Sequence, residues 1–429
     1  MELLSLSMPV VLAFLGGALC VRYLVVHPLK MSSALVGACL SLFLTIVCLA
    51  AFSRWMWVLI GTLLSIGSFV VGYYLAARRM LSREDERPLP ALTRAQGDPG
   101  RGHVAVVYFT HGEPQTYDPI GWLNQFREFD EQNVPFIPVI VRPFFIYLLR
   151  RKYLQVGSSH HRETHQRMIG RLEQSFRADG DTMTRFYLSF LDDNPRPDAA
   201  VIQALNEGAG YIVVSEVFVS ISNHTKEGED LIKSVDTQPF GVPVQFTGPL
   251  WDSDTLHSMF VKRANDHIGG TDKSKVGVIL VGHGQPDAWD REFPTETEHE
   301  LEFRCRIMQR LVEDGYRPEN LDLAWMEFKH PRPAEKVEQL VKNGVEKIFY
   351  FSAAISAEAI HSQFDIPDLI AKAKVPAGFP IINLGAWNDD PFVIDAIKER
   401  ILPLMPARLI VAAQEPVIYE EVQIQGPAR

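Results

Sequence analysis

Two short stretches of this chain carry the same side chains in the same order. Residues 109–118 read FTHGEPQTYD and residues 281–290 read VGHGQPDAWD, so each has His-Gly-x-Pro after an apolar run and an Asp seven residues past the His. An imidazole held at a strand end can take a proton near neutral pH or ligate a divalent first-row metal. Around the second copy, Glu327 closes LDLAWME and His361 follows KIFYFSAA, giving His283, Glu327 and His361 as candidate catalytic residues and as a candidate metal-ligand set. A single His at a strand end usually just bonds backbone; these stand out because three strands of one sheet would each deliver one such residue to the same edge. The first copy offers His111 and His224, but the position matching Glu327, counted back from the following Pro-Arg-Pro, is Leu191. That copy is expected to lack its carboxylate, although Asp192 and Asp193 lie beside it.

Two further clusters could bind metal. Glu296, Glu298, Glu300 and Glu302 in TETEHELEF, with His299, alternate as one solvated face of a strand or irregular segment does, and could equally form an acidic path for an ion. His161 and His165 are four apart, the spacing of a two-His helical metal site, but no acidic third ligand is adjacent; with His160 they read as a surface helix start or the lip of a binding cleft.

The elements that must position these residues alternate. Apolar runs at 104–109, 136–141, 185–191 and 211–219, then 276–282, 321–326, 347–354 and 379–385, are separated by amphipathic sequence. Such runs argue for parallel strands covered on both faces, an α/β fold. PRPDAAVIQALNEG (195–208) matches PRPAEKVEQLVKNG (331–344), and SEVFVSISNH (215–224) matches SAAISAEAIH (352–361). Three matches in register predict an internal duplication, two halves facing a central cleft, with ligands beyond the carboxyl ends of the strands.

Ahead of these halves, residues 3–21, 32–52 and 55–77 are nearly uncharged and each is about long enough to cross a ~30 Å hydrocarbon core. A cleavable leader fits the first run poorly, because no basic residue precedes it. Arg78, Arg79 and Arg83 after the third run place the following domain on the cytoplasmic side of a cell (inner) membrane by the positive-inside tendency. The expected organisation is a three-span anchor (1–79), a linker whose mix of charge, Pro and Gly reads as a tether (80–102), an N-terminal half (103–255), a C-terminal half with the active site (270–410) and a polar tail (411–429). A net charge of −10 disfavours nucleic acid as a partner, and Cys305, the one cysteine outside the apolar runs, cannot build a disulfide framework or a cysteine-ligated cluster. The segment PFFIYLLRRKYL (143–154) reads as a buried helix or as a cleft lip lying on the lipid bilayer.

The segments LVGHGQPD, WMEFKHP, AIHSQFDIPDLI and NLGAWNDDPFV together resemble the class II metal chelatases of tetrapyrrole synthesis. His-x-x-x-Asp-Ile-Pro at 361–367 is similar to the sirohydrochlorin cobaltochelatases, whereas RRKYLQVGSSHHRETHQ (150–166) is similar to a Ser-Pro-Leu, Thr, Gln segment of ferrochelatases. Thr164 and Gln166 match that segment, Ser159-His160-His161 departs from it, and His361 stands where ferrochelatases usually carry Glu. The resemblance covers about residues 103–405. It implies a lyase with no permanently bound cofactor and with Fe2+ or Co2+ and a tetrapyrrole as substrates. It makes His283 the base for the pyrrole protons, Glu327 its orienting or relaying carboxylate and His361 the ligand presenting the metal, with Thr164, Gln166, His111 and His224 contacting the ring. The membrane anchor and the aromatic 143–154 segment favour the greasier ring, so Fe2+ insertion into a porphyrin leads; the alternative is Co2+ or Fe2+ insertion into sirohydrochlorin. A reading of another class is a tetrapyrrole- or metal-binding membrane protein without turnover. Homo-oligomers and neighbouring enzymes of the pathway are further candidate partners.

Overall fold

The computed structural model of the chain describes residues 2–81, 87–131 and 137–406. The expected tail at 411–429 and Phe136, the first residue of one expected strand, lie outside the described residues.

Three helices come first: α1 (Glu2–Val25), α2 (Met31–Ala50) and α3 (Trp55–Leu81). They are long and apolar enough to cross a membrane over Leu6–Val25, Pro28–Ala50 and Trp55–Met80, with mean hydropathy 1.9, 2.4 and 1.9. α1 and α3 touch backbone to backbone. A Cβ on Gly17 would lie 2.1 Å from the Phe69 carbonyl oxygen and one on Gly72 2.2 Å from that of Phe14, so this crossing tolerates only glycine.

The first half then runs β1 (His103–Thr110), α4 (Pro119–Glu131), α5 (Arg142–Val156), α6 (His161–Ala178), β2 (Thr184–Phe190), α7 (Pro197–Asn206), β3 (Ala209–Glu216), α8 (Asn223–Lys233), β4 (Val244–Phe246) and α9 (Asp254–Asp266). The second runs β5 (Val276–Gly282), α10 (Asp287–Glu292), α11 (Pro294–Glu313), β6 (Leu321–Trp325), α12 (Pro333–Lys342), β7 (Lys347–Ser352), a π-helical turn at His361–Asp365, α13 (Ile366–Ala371), β8 (Ile381–Asn383) and α14 (Pro391–Ile401). The sheets are four-stranded and parallel, in the orders β2-β1-β3-β4 and β6-β5-β7-β8, so the duplication read from the sequence is present as topology. β1 and β5, central in their sheets, are buried at every residue, as strands covered on both faces must be. α7 and α12 both start at the last Pro of Pro-Arg-Pro, where a missing N–H costs nothing.

The halves share one core. α9 packs on α11 and α14 of the second half, and α14 in turn on α6 and β3 of the first. One apolar cluster accordingly runs from Val104 and Tyr108 through Phe260 to Phe303, Phe351 and Trp387.

Several expectations are corrected. Residues 137–141 form a turn leading into α5 rather than a strand, because Pro138 and Pro143 interrupt the run and the latter suits a helix start. TETEHELEF lies in α11, so its glutamates follow a helical period. Residues 87–102 contain no helix or strand but do not hang free: Arg87 Nη1 donates to Leu191 O (2.9 Å), Asn206 Oδ1 accepts from Thr93 N (2.7 Å), and buried Arg94 donates to Ala209 O (2.7 Å). That part of the tether is bound along the first half.

Candidate active site

Each half brings its two histidines together at the carboxyl ends of its central strands. The His283 and His361 rings meet edge to face with centroids 5.4 Å apart, and those of His111 and His224 likewise at 4.6 Å. Charge on either His111 or His283 opposes protonation of His224, so the two pairs are close enough to interact.

The His-Gly turn is held identically in both copies. In the second half the β6 end bonds back to it, Met326 N to Gly282 O at 2.8 Å and Glu327 N to His283 O at 3.0 Å. Gly284, with φ 84°, has the Glu327 carbonyl oxygen 2.4 Å from where a Cβ would sit, so the turn and the carboxylate strand approach only through glycine. In the first half Leu191 N bonds Thr110 O at 3.0 Å and Asp192 N bonds His111 O at 2.8 Å. Asp192, not Leu191, therefore occupies the place of Glu327, and it lies 3.2 Å from His111 Nδ1. The expectation that the first copy lacks its carboxylate is wrong. The loop between β6 and its Pro-Arg-Pro is one residue longer than the loop after β2, so counting back from the prolines slips by one. Leu191 is a buried core residue.

Both His283 and His111 direct Nδ1 at the next carbonyl, of Gly284 at 2.7 Å and of Gly112 at 2.8 Å, leaving Nε2 as the nitrogen available for chemistry. His283 N donates to Glu300 Oε1 at 2.7 Å, and Glu300 is buried beside Arg304. Burial first, and then the nearby His361, hold His283 below the usual imidazole range against the pull of Glu327 and Glu300. His361 goes the other way. Burial alone would lower it, but the Asp365 hydrogen bond (His361 Nδ1 to Oδ2, 2.8 Å) and the charges of Asp365 and Glu327 outweigh that and raise it. Two adjacent imidazoles pushed apart in this way suit different roles, a neutral acceptor and a group favouring charge.

Sequence reasoning gave no role to Asp365, to Lys152, whose Nζ lies 2.7 Å from Asp365 Oδ1, or to Glu113, the variable residue of the first His-Gly-x-Pro. The Glu113 carboxylate is buried and accepts the Ile360 N–H at 3.0 Å, so the first half's turn props the residue just before His361. The first two are signalled only by four-residue spacing from His361 and by basic residues in 143–154; the contacts themselves are long-range.

The other candidates separate. His161 and His165 are no surface feature: both are buried, 3.2 Å apart at Nε2, and burial holds both low, His165 to about 3, with Tyr108 OH 2.7 Å from His165 Nδ1. His160 pairs with Glu358 at 3.2 Å at the surface. Thr164 is buried on the inner face of α6 and accepts from Arg167 (3.0 Å), while Gln166 is exposed, so the two do not share a face. On α11, Glu300 faces inward and Glu298 and Glu302 outward; Glu296 is pushed up to about 8 by burial and by Glu300 and Asp290. Among the described residues no three His, Cys, Asp or Glu side chains form a preset metal cage.

Residues 277–404 match the model of the CbiX family, a span that contains His283, Glu327 and His361. The match bears out, over the C-terminal half, the resemblance to the class II tetrapyrrole metal chelatases. No curated protein matches the chain. Among solved structures the chain is similar to SirB from Bacillus subtilis with Fe3+, at 13% identity and TM-score 0.45. It is similar as well to the sirohydrochlorin chelatase SirB from Bacillus subtilis subspecies spizizenii in complex with cobalt, at 11% identity and TM-score 0.40; each alignment covers 70% of this chain and 94% of the other.

Proposed function

We propose that this protein is a membrane-held chelatase that inserts Co2+ or Fe2+ into a polycarboxylate tetrapyrrole of the sirohydrochlorin type, rather than Fe2+ into a porphyrin. The observation that carries the reading is the CbiX match across all three of His283, Glu327 and His361, with an imidazole at 361. The argument for a greasy ring has meanwhile lost its footing. The apolar residues of α5 are engaged elsewhere: Ile146, Leu149 and Tyr153 pack with Val25 at the end of α1, and Phe144, Phe145 and Leu148 are exposed on this same helix that packs on α1, where a bilayer would take them. Cations near the cleft are instead held ready by aspartates. Arg162 pairs with Asp193, Lys329 with Asp290, and Arg167 and Arg171 with Asp389. Ring carboxylates could replace these partners one for one.

Metal insertion must remove two pyrrole protons. His283, kept neutral with Nε2 free, accepts them, Glu327 relays them, and His361, whose charged form Asp365 favours, gives up its Nε2 proton before that nitrogen presents the metal. α1–α3 hold the enzyme in a cell membrane with the two halves on the cytoplasmic face. The test is metallation by the detergent-solubilised full chain, followed by absorbance, with sirohydrochlorin or protoporphyrin and Co2+ or Fe2+. Turnover of sirohydrochlorin and not of protoporphyrin is expected. Turnover of protoporphyrin alone would restore the porphyrin reading, and metallation of neither ring would sink the enzyme.

A further inference from the structure

The apolar helices do more than hold the protein down: they are joined to His361 by one helix. Arg150 of α5 is wholly buried, and its Nη1 donates to the carbonyl oxygens of Tyr23 (2.7 Å) and Val26 (2.9 Å) at the end of α1. Those carbonyls have no partner further along the helix, and the dipole's negative end faces the guanidinium, so Arg150 caps α1 from outside. Its guanidinium also lies over the Tyr23 ring at 5.4 Å and the Tyr147 ring at 5.1 Å. Buried Tyr117 adds a second bond across the junction, OH to Val25 O at 2.6 Å, and its ring meets that of Tyr153 on α5 at 6.1 Å.

Two residues after Arg150 comes Lys152, about 200° further around the helix and so on its opposite side. There Lys152 Nζ meets Asp365 Oδ1 at 2.7 Å, and the other carboxylate oxygen takes the His361 Nδ1 proton at 2.8 Å. Tyr153 OH donates to Pro114 O (2.8 Å) in the first His-Gly-x-Pro turn. α5 is thus wedged between the end of α1 and the π-helical turn that carries His361. It lies outside the span that matches CbiX, which begins at residue 277.

We propose that Asp365 and Lys152 are positioning residues that fix the ring orientation of His361, and that α1, through Arg150 and α5, holds Lys152 in place, so that the metal site depends on the docked anchor. The proposal rests on the reading of His361 as the metal-presenting ligand. With Asp365 on Nδ1, only Nε2 faces the cleft; without it the ring can flip.

The experiment titrates the full chain in detergent with Co2+ alone, following the visible d–d absorption, and repeats it with the substitutions. The portion of the signal lost in His361→Ala defines the relevant site. Within that portion, Asp365→Asn is expected to weaken Co2+ roughly ten- to hundredfold and Lys152→Gln about tenfold, each with an altered band shape, while Lys152→Arg restores the wild-type spectrum. Arg150→Met should reproduce the Lys152→Gln spectrum, and the double variant should be no worse than either alone. If Arg150→Met fails to fold, Tyr117→Phe tests the same junction by a milder shift in the same direction. Lys152→Gln and Asp365→Asn that bind like wild type would overturn the positioning role. Arg150→Met and Tyr117→Phe that leave binding untouched would overturn the link to α1. Co2+ binding that needs His361 in a protein that metallates no ring would defeat the proposed reaction and leave this coupling standing; binding indifferent to His361→Ala would defeat the metal-presenting role of His361 and this coupling with it.

Discussion

The two halves have the same strand order and the same His-Gly turn, yet differ at the point that orders the second histidine. Four residues after His361 stands Asp365, bonded to its Nδ1. Four residues after His224 stands Gly228, and a Cβ there would lie 1.9 Å from Cζ of Phe109, a ring buried in the first half's core. The residue equivalent to Phe109 in the second half is Val281. A large ring with glycine in one copy, a small valine with aspartate in the other: the first half has filled with phenyl the space where the second keeps a carboxylate. Accordingly His224 Nδ1 is buried with no hydrogen-bond partner, and burial holds the ring well below the usual imidazole range. The lesson is that the copies differ less in their first set of residues than in what supports them. Both have two histidines and an acid, but of the two second histidines His361 alone is oriented from behind.

The largest effect should follow from removing the base. His283→Ala is expected to lower the metallation rate by about 10²–10⁴-fold, the usual worth of a general base. His111→Ala should cost about tenfold or less, near 1.4 kcal/mol of transition-state stabilisation, the scale of one positioning contact. Single-turnover metallation of both variants decides the comparison. Equal losses would mean that the first half, with Asp192 in place, works as well as the second.

Next comes the attempt to convert one half into the other. Gly228→Asp should destabilise the protein by more than the ~1–3 kcal/mol of ordinary overpacking, because the clash is with an aromatic ring in a closed core. Adding Phe109→Val, which copies the Val281 arrangement, should recover a good part of that loss in denaturant titrations. If the double variant is no more stable than Gly228→Asp alone, the size exchange does not explain why the first half lacks its second acid.

The His-Gly turns allow a finer test. Gly284→Ala puts a methyl against the Glu327 carbonyl at a φ of 84°, and Gly112→Ala puts one against Phe190 Cβ and the Asp193 N–H at 96°. Each should cost ~1–3 kcal/mol of stability. Only Gly284→Ala should also reduce metallation disproportionately, since it displaces the working carboxylate; equal activity losses would argue against that division.

Much of this was legible in the sequence because strands buried on both faces must be apolar throughout and because the duplication repeats its turn residues. Seven of the eight described strands coincide with apolar runs, and β4, three residues long, is too short to give a signal. The run at 136–141 misled because a proline-containing turn and a buried strand have the same apolar composition. TETEHELEF misled because alternation of charge along the chain says nothing of which residues face inward once the segment is a helix: Glu300 alone of the four is fully buried, under His283. His283, Glu327 and His361 could be found from their order along the strands. Asp192 was hidden by a one-residue difference in loop length, and the Arg150 and Lys152 contacts could not be seen at all, since they join residues 124 to 213 positions apart.

The smallest effect separates the halves by acidity. Glu216 at the end of β3 is pushed up to about 7, by burial and then by Glu229, and Glu296 on α11 to about 8. Both are normally near 4.5, so between 4.5 and those values the folded protein holds protons that the unfolded chain has released. The stabilisation these carboxyls give is fully present below the unfolded value and is lost as pH rises through the folded one, so their share of the unfolding free energy should fall from pH 5 to pH 9. Glu216→Gln should flatten the part of this fall up to about pH 7, and Glu296→Gln the part that continues to about pH 8. Denaturant midpoints measured at pH 5, 7 and 9 would check both. Because Glu296 faces Glu300, which bonds the His283 backbone, only its substitution should also shift the pH dependence of metallation; the same shift from Glu216→Gln would show that acids in the first half reach the working site as strongly as those in the second.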